Sequence, residues 1–174
     1  SYQDKRKLRR HSETGNRTPK YFTDVAERVS DALPAPTTCR YCQAEVSLVH
    51  HKEIYGLSYG VWPYAYQCTS CKAHVGVHPS TNLPLGTLAD HALRESRIAS
   101  KDLFQRVLKV RGLSRTRGYQ WLASGMEIPK ESCHFGWFEL KDCERAKSIC
   151  ENELMECSPM GKAFASAWIS RSRN

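Results

Sequence analysis

The chain has 174 residues, of which 40% are hydrophobic and 25% are charged, and its formal net charge is +8. A chain of this length can bury one sizeable core, or a small metal-stapled module together with a helical unit. No apolar run approaches the roughly 18 residues that a membrane span needs, and the N-terminal segment lacks the apolar core of a signal peptide. We therefore expect a soluble cytoplasmic protein without a membrane partner.

Charge is distributed unevenly along the chain. Residues 1–20 sum to +5 and residues 91–120 to +6, whereas residues 127–157 sum to −4. Clustered positive charge favours a polyanionic partner, either DNA or RNA, although an acidic protein surface would also satisfy it. A basic face that is merely solvated remains the alternative.

The first part of the chain carries no strong pattern. Residues 1–20 lack apolar periodicity, which predicts a flexible basic arm. Residues 21–36 are predicted to hold a short helix and a linker, because apolar residues recur at helical spacing until Pro34 and Pro36 end the pattern.

Residues 37–86 are predicted to form a zinc-ribbon module. The stretch "AEVSLVHH" predicts a first strand, "VWPYAYQ" predicts a second strand after the turn "GLSYG", and "KAHVGVH" predicts a third. Two Cys-x-x-Cys turns joined by a hairpin, with a strand after the second turn, are typical of a zinc ribbon. A treble-clef finger, in which a helix begins at the second pair, remains the alternative.

Four cysteines provide the strongest motif, as Cys39-x-x-Cys42 and Cys68-x-x-Cys71. Two intervening residues let both sulfurs of a pair bind one ion, and two pairs complete the tetrahedral sulfur shell that Zn²⁺ favours. A redox dithiol, an iron site and two disulfides are competing interpretations. A complete thiolate shell leaves no position for water, which indicates a structural site rather than a catalytic one.

Residues 87–157 are predicted to form a helical region, followed by a tail over residues 158–174. Thr87 is predicted to cap a long helix that begins at Leu88. Helical periodicity places Arg94, Arg97 and Lys101 on a basic, solvent-facing side. Two further helices are expected, one closed by Gly125 and one from Glu139. The opposite, apolar side of the long helix comprises Leu88, Ala92, Ala99, Leu103 and Val107.

The predicted fold class is α+β, with a small zinc-ribbon-like β-hairpin module packed with a mainly helical C-terminal region. Within the module, alternation places His74 and His78 on one face of the third strand. They are candidates for acid–base catalysis, for contact with a phosphate or a base, or for metal ligation, but a structural hydrogen-bonding role is the default. The hairpin aromatics either stack on unpaired bases or build its core. These aromatics are Tyr55, Tyr59, Trp62, Tyr64 and Tyr66.

Further motifs accompany the cysteine pairs in a specific order, namely "AHVGVH" at 73–78, "PLGTLA" at 84–89, "YQWLA" at 119–123 and "CHFGWF" at 133–138. In these motifs the chain resembles a family of small proteins from phages, prophages and mobile elements, described as a zinc-finger-containing domain of unknown function. The resemblance covers residues 37 to 150. It implies a zinc-bearing phage or mobile-element protein that acts in the cytoplasm of a bacterial host cell.

The leading hypothesis is a zinc-stabilised nucleic-acid-binding accessory or regulatory protein of a phage or mobile element. A second hypothesis is an inhibitor or modulator that binds a host protein such as a polymerase or a defence component. A third is a nuclease using His74 and His78, which is weakened by the lack of a carboxylate cluster for Mg²⁺. The candidate nucleic-acid contacts are His74, His78, Thr87, Arg94, Arg97 and Lys101.

Overall fold

The structure is a computed structural model that describes Val29 and residues 32–157. The predicted basic arm over 1–20, most of the segment 21–36 and the tail over 158–174 lie outside the described residues. The chain divides into two compact units, residues 1–91 and residues 92–174, which are called the sheet unit and the helical unit below.

The described residues of the sheet unit form an antiparallel sheet of three strands in the order β1–β2–β3. Val46 lies opposite Cys68 in the first pair of strands, and Gln67 lies opposite His74 in the second. All three strands were predicted from alternation, and the α+β class is confirmed. The strands are β1 (Val46–His50), β2 (Tyr64–Cys68) and β3 (His74–Gly76).

A short helix that the sequence did not predict, α1 (His51–Tyr55), follows β1 directly. His50 caps it: its Nδ1 accepts a hydrogen bond from the Lys52 N–H at 3.1 Å, and the Glu53 carboxylate accepts from the His50 N–H at 3.2 Å. This reciprocal pair satisfies amide groups that a helix N-terminus leaves without partners. The "HHKE" stretch therefore turns the chain at the end of β1.

The hairpin aromatics divide between the core and the surface. Trp62 and Tyr66 are buried, and each also donates a hydrogen bond to the loop after β3: the Trp62 indole to the Thr81 carbonyl at 2.7 Å and the Tyr66 hydroxyl to the Asn82 carbonyl at 2.8 Å. Burying these rings while pairing their polar atoms fixes the loop to the sheet. By contrast, the Tyr55 and Tyr59 side chains are exposed, at 47% and 53%.

The first long helix begins at His91, so the prediction that Thr87 caps a helix from Leu88 is wrong. Ala89 is instead extended and pairs with β3, because the His74 N–H donates to the Ala89 carbonyl at 2.9 Å and the Ala89 N–H donates back at 3.2 Å. Leu88 lies in the hydrophobic core of the sheet unit. The "PLGTLA" motif therefore completes the sheet unit rather than opening the helix.

In the part of the helical unit that the structure describes, which ends at residue 157, there are three α-helices and one 3₁₀ turn. None of the described helices is both long and apolar enough to cross a membrane. The second and third helices were predicted close to their observed bounds, but Glu127, with a φ of 54°, ends the second one in place of Gly125. The elements are α2 (His91–Arg111), α3 (Arg115–Met126), the 3₁₀ turn (Lys130–Ser132) and α4 (Leu140–Glu156).

The buried face of α2 differs from the predicted stripe. Ala92 and Ala99 are exposed, and Leu103 is half-buried. The buried positions alternate by four and three residues, which is the narrow seam that an α-helix presents to neighbouring helices. Because Arg97 lies within that seam, its predicted exposure is wrong. The buried residues of α2 are Leu93, Arg97, Ser100, Phe104 and Val107.

Candidate metal centre and basic surface

The four predicted metal ligands converge on one point. The sulfur atoms of Cys39, Cys42, Cys68 and Cys71 all lie within 4.8 Å of one another. The Sγ atoms of Cys39 and Cys71 are 3.5 Å apart, as are those of Cys42 and Cys68. A tetrahedral metal with sulfur bonds of about 2.3 Å requires sulfur–sulfur distances of about 3.8 Å. The cluster therefore has the dimensions of a four-thiolate metal site.

Two turns of the same backbone geometry build this cluster. In both, the residue after the second cysteine is left-handed, Gln43 and Lys72 each having a φ of 63°. In both, the N–H of the first cysteine donates to the carbonyl of the residue five positions later, at 2.8 Å. These closures direct the paired sulfurs toward a common centre, one turn preceding β1 and the other joining β2 to β3.

The electrostatics of the cluster call for a cation. Burial alone would raise the pKa of Cys68, but hydrogen bonds from the N–H groups of Cys71 and Ser70 and from the thiols of Cys42 and Cys71 together lower that pKa to about 6. The N–H of Ala73 would lower the pKa of Cys71, but burial and the neighbouring thiols Cys39, Cys68 and Cys42 raise it to about 12. A bound cation offsets the repulsion between neighbouring thiolates.

Within the part of the chain that the structure describes, this is the one group of three or more His, Cys, Asp or Glu side chains able to hold a metal ion. Cys39 and Cys68 are buried, while Cys42 and Cys71 are exposed. With all four positions filled by sulfur, the site can crosslink the two turns but offers no coordination position to a substrate.

His74 is buried, with 6% of its surface exposed. Its Nδ1 lies 3.1 Å from the Lys72 carbonyl oxygen, and its Nε2 lies 3.0 Å from the Tyr55 hydroxyl. Because a carbonyl can only accept, Nδ1 carries the proton and donates it, and Nε2 accepts from Tyr55. The side chain thus joins α1 to the turn before β3, which is the structural role expected by default.

His78 is half-buried at the start of the loop after β3. Its backbone carbonyl accepts from the Thr81 N–H at 3.1 Å and from the Thr81 Oγ1 at 2.9 Å. The His78 N–H donates to the Leu83 carbonyl at 2.8 Å. These hydrogen bonds involve the backbone of His78 and shape the loop. The predicted role of the His78 imidazole stays a prediction.

The predicted basic residues of α2 differ in exposure. Arg97 is buried, and its Nε donates to the Phe138 carbonyl at 2.8 Å, so the guanidinium holds the segment before α4. Lys101 is exposed. Arg94 and Thr87 are both half-buried, Thr87 lying in an irregular segment of the sheet unit. Their nucleic-acid contacts stay a prediction, whereas Arg97 is engaged in the core.

A larger group of cations lies at the end of α2 and the start of α3. The charge sum of residues 91–120 predicts this concentration, although Lys101 is its only member among the predicted nucleic-acid contacts. Two of the guanidinium groups lie over aromatic rings: Arg111 is 5.9 Å from the Trp121 centroid, and Arg115 is 5.7 Å from the Tyr119 centroid. The exposed cations, called the basic surface below, are Lys101, Arg106, Lys109, Arg111, Arg115 and Arg117.

The remaining buried cysteines belong to the core of the helical unit. Burial raises the pKa of Cys133 to about 11 and, with help from nearby acidic side chains, that of Cys150 to about 12. Cys143 is also buried, and burial raises its pKa. Neutral thiols in such surroundings behave as small apolar groups. Cys143 and Cys150 are both buried free thiols.

Comparison with known proteins gives one result. The profile of a family described as a zinc-finger-containing domain matches residues 35–153, about two thirds of the chain. This range includes the four cysteines and extends almost to the end of α4. No curated protein and no solved structure has significant similarity to the chain.

Proposed function

The chain belongs to the zinc-finger-containing domain family, and from this premise we propose that it is a zinc-stabilised nucleic-acid-binding accessory or regulatory protein. Zn²⁺ is the ion that suits four converging thiolates, and it would be held by Cys39, Cys42, Cys68 and Cys71. Bound there, the ion crosslinks the two turns. Structural zinc sites of this kind contribute about 10–16 kcal/mol of apparent binding free energy to folding.

The basic surface is the observation that carries nucleic-acid binding. Residues 101–117 contain six cations and one acidic residue, Asp102, for a charge of +5 over this segment, and the Arg111 guanidinium also lies 3.4 Å from the Glu153 carboxylate of α4. All six cations are exposed. Side chains that neutralise phosphates release counterions, so such a surface binds nucleic acid with an affinity that falls as salt rises.

Within this surface, Lys101, Arg106 and Lys109 of α2 are the proposed phosphate contacts. Arg97 is left out, since its guanidinium is committed to the Phe138 carbonyl. The resemblance noted in the sequence supports action in a phage or mobile element within a bacterial cytoplasm.

Neutralising two proposed contacts tests the surface. The full-length, zinc-loaded double variant Arg106→Ala/Lys109→Ala should bind a labelled DNA or RNA more weakly than the unaltered protein, by a similar factor for every sequence. The slope of log affinity against log salt should fall by about two, one unit for each lost phosphate contact. Fluorescence anisotropy over a range of salt concentrations measures both quantities.

The matched control removes the same charge elsewhere. Lys130 and Lys141 are exposed and lie outside the basic surface, so Lys130→Ala/Lys141→Ala lowers the net charge equally. This control should keep nearly all of the binding and the salt slope. Equal losses in the two double variants would show that net charge, rather than this surface, attracts the nucleic acid. No binding at about 50 mM salt would reject the proposal.

A second candidate function is the binding of a host protein such as a polymerase or a defence component. An apolar stretch from the end of α1 to the start of β2 supports it: Tyr55, Leu57, Tyr59 and Val61 are between 47% and 62% exposed. A cluster of exposed apolar side chains often marks a protein interaction site, whereas single exposed apolar side chains are common on any protein surface. Capture of a bacterial protein that survives nuclease treatment and is lost in Leu57→Ser/Tyr59→Ser would favour this function over nucleic-acid binding.

A further inference from the structure

The connection between α2 and α3 is a short turn. Only three residues, 112–114, separate the two helices. Gly112 has a φ of 62°, a conformation that glycine adopts without steric cost, and the Leu113 N–H donates to the Leu108 carbonyl at 2.9 Å. Ser114 then caps α3 by accepting from the Arg117 N–H at 3.3 Å. The turn thus ends one helix and starts the next within a few residues.

Close packing beside the turn fixes the rotation of α3 against α2. Gly118 is buried, and a Cβ at this position would overlap the end of the Leu108 side chain and lie 3.1 Å from the Phe104 ring. The rings of Phe104 and Tyr119 are 4.9 Å apart. Further along α3, Leu122, Ala123 and Met126 are buried. The inner face of α3 is therefore committed to the core of the helical unit.

The outer face of α3 is polar and free of acidic residues. Thr116, Arg117, Gln120 and Ser124 are exposed, and helical spacing places them beside one another. No Asp or Glu occurs in α3, so nothing on this helix repels a phosphate backbone. Arginine and glutamine are the side chains that pair with guanine and adenine edges, and hydroxyl groups contact several bases.

We propose that α2, the 112–114 turn and α3 form a helix-turn-helix unit that reads duplex DNA, with the outer face of α3 lying in the major groove. This inference rests on the proposed nucleic-acid binding and gives it a substrate class. Thr116, Arg117 and Gln120 lie in the first two turns of α3, the part of a recognition helix that contacts base edges. Lys101, Arg106 and Lys109 contact phosphates and set the position of the unit on the duplex.

The packing of the aromatic rings in this unit favours the binding of duplex DNA over the binding of single strands. Proteins that bind unpaired strands offer exposed rings on which bases stack. The Tyr119 ring packs against Phe104 and Phe135, and Trp121 is half-buried beside the Arg111 guanidinium. Among the described residues of the helical unit, the exposed large hydrophobic side chains are all aliphatic or methionine. The unit therefore offers base-edge partners without a stacking surface.

Selection from a randomised duplex library tests the inference with the full-length, zinc-loaded protein. We expect a recurrent short sequence to be enriched, and the selected duplex to bind on the order of a hundredfold or more tightly than its scrambled counterpart. Gln120→Ala should weaken binding to the selected duplex by about ten- to a hundredfold and leave the scrambled duplex unaffected. Alanine favours helix, so this variant keeps α3 intact, as circular dichroism would verify.

Gln105→Ala is the matched control, because it removes the same amide from an exposed position on α2 and should change neither affinity. Arg106→Ala/Lys109→Ala should weaken both duplexes equally. Salt-dependent binding without an enriched sequence, or tighter binding to single-stranded DNA or RNA, would overturn the inference while leaving the proposed function in place. Absence of binding to any nucleic acid would overturn both. Equal losses in Gln120→Ala and Gln105→Ala would also contradict base readout by α3.

Discussion

Replacement of Arg97 by alanine should destabilise the helical unit rather than weaken nucleic-acid binding directly. Only 9% of Arg97 is exposed, and its Nε donates to the Phe138 carbonyl at 2.8 Å. A hydrogen bond from a charged donor contributes about 1.5–3 kcal/mol, and its loss leaves a buried carbonyl without that donor. The buried part of the arginine stem adds about 1 kcal/mol of packing. We expect the free energy of unfolding to fall by about 2–4 kcal/mol.

Urea unfolding followed by far-ultraviolet circular dichroism measures this change in the zinc-loaded protein. Lys101→Ala is the matched comparison, because it removes an exposed cation from the same helix. It should change stability by no more than about 0.5 kcal/mol and weaken nucleic-acid binding. If Arg97→Ala were as stable as the unaltered protein and bound nucleic acid less well than Lys101→Ala, the assignment of Arg97 to the buried face would be wrong.

Two further comparisons test the packing of α3 and the metal site. Gly118→Ala should lower the free energy of unfolding by up to about 2 kcal/mol, because overlap with Leu108 outweighs the gain of about 1 kcal/mol in helix propensity. Gly125→Ala should raise the free energy of unfolding by up to about 1 kcal/mol, because the new Cβ lies 3.2 Å from an Ile149 methyl group and the helix propensity improves. The opposite order of the two variants in urea unfolding would contradict the close approach of α2 and α3. Cys39→Ser should lose the zinc found in the unaltered protein and lower the melting temperature of the sheet, while Cys133→Ala should retain zinc. Elemental analysis measures the zinc content of each variant. Undiminished zinc in Cys39→Ser would refute the assigned ligand set.

The sheet unit was largely predictable because its determinants are local. Alternating residues specify strands, and Cys-x-x-Cys spacing brings two sulfurs to one ion, so the strands and the ligand cluster both followed from short stretches of sequence. The pairing of Ala89 with His74 was not predictable in this way. It joins segments separated in sequence, and the glycine and threonine of "PLGT" suit a turn as well as a helix start.

The face of α2 was mispredicted because apolar character alone does not decide burial. Ala92 and Ala99 fitted an apolar stripe but are exposed, whereas Arg97 and Ser100 lie on the buried face. The Ser100 hydroxyl donates to the Ser96 carbonyl at 2.8 Å, and the Arg97 guanidinium donates to the Phe138 carbonyl at 2.8 Å. A polar residue can be buried when a partner is in place, but that partner is known only from the tertiary structure.

The environment of His74 bears directly on the nuclease hypothesis. A general base needs a ring nitrogen that can reach the substrate, yet Nε2 already accepts from the Tyr55 hydroxyl and Nδ1 donates to the Lys72 carbonyl. Catalysis through Nε2 would require its contact with the Tyr55 hydroxyl to break and a substrate to reach a residue that is 6% exposed. Tyr55→Phe removes this hydrogen bond, so with a structural His74 we expect stability to fall by about 1 kcal/mol and labelled nucleic acid to stay uncleaved. Cleavage by the unaltered protein that His74→Ala abolishes would contradict the structural role.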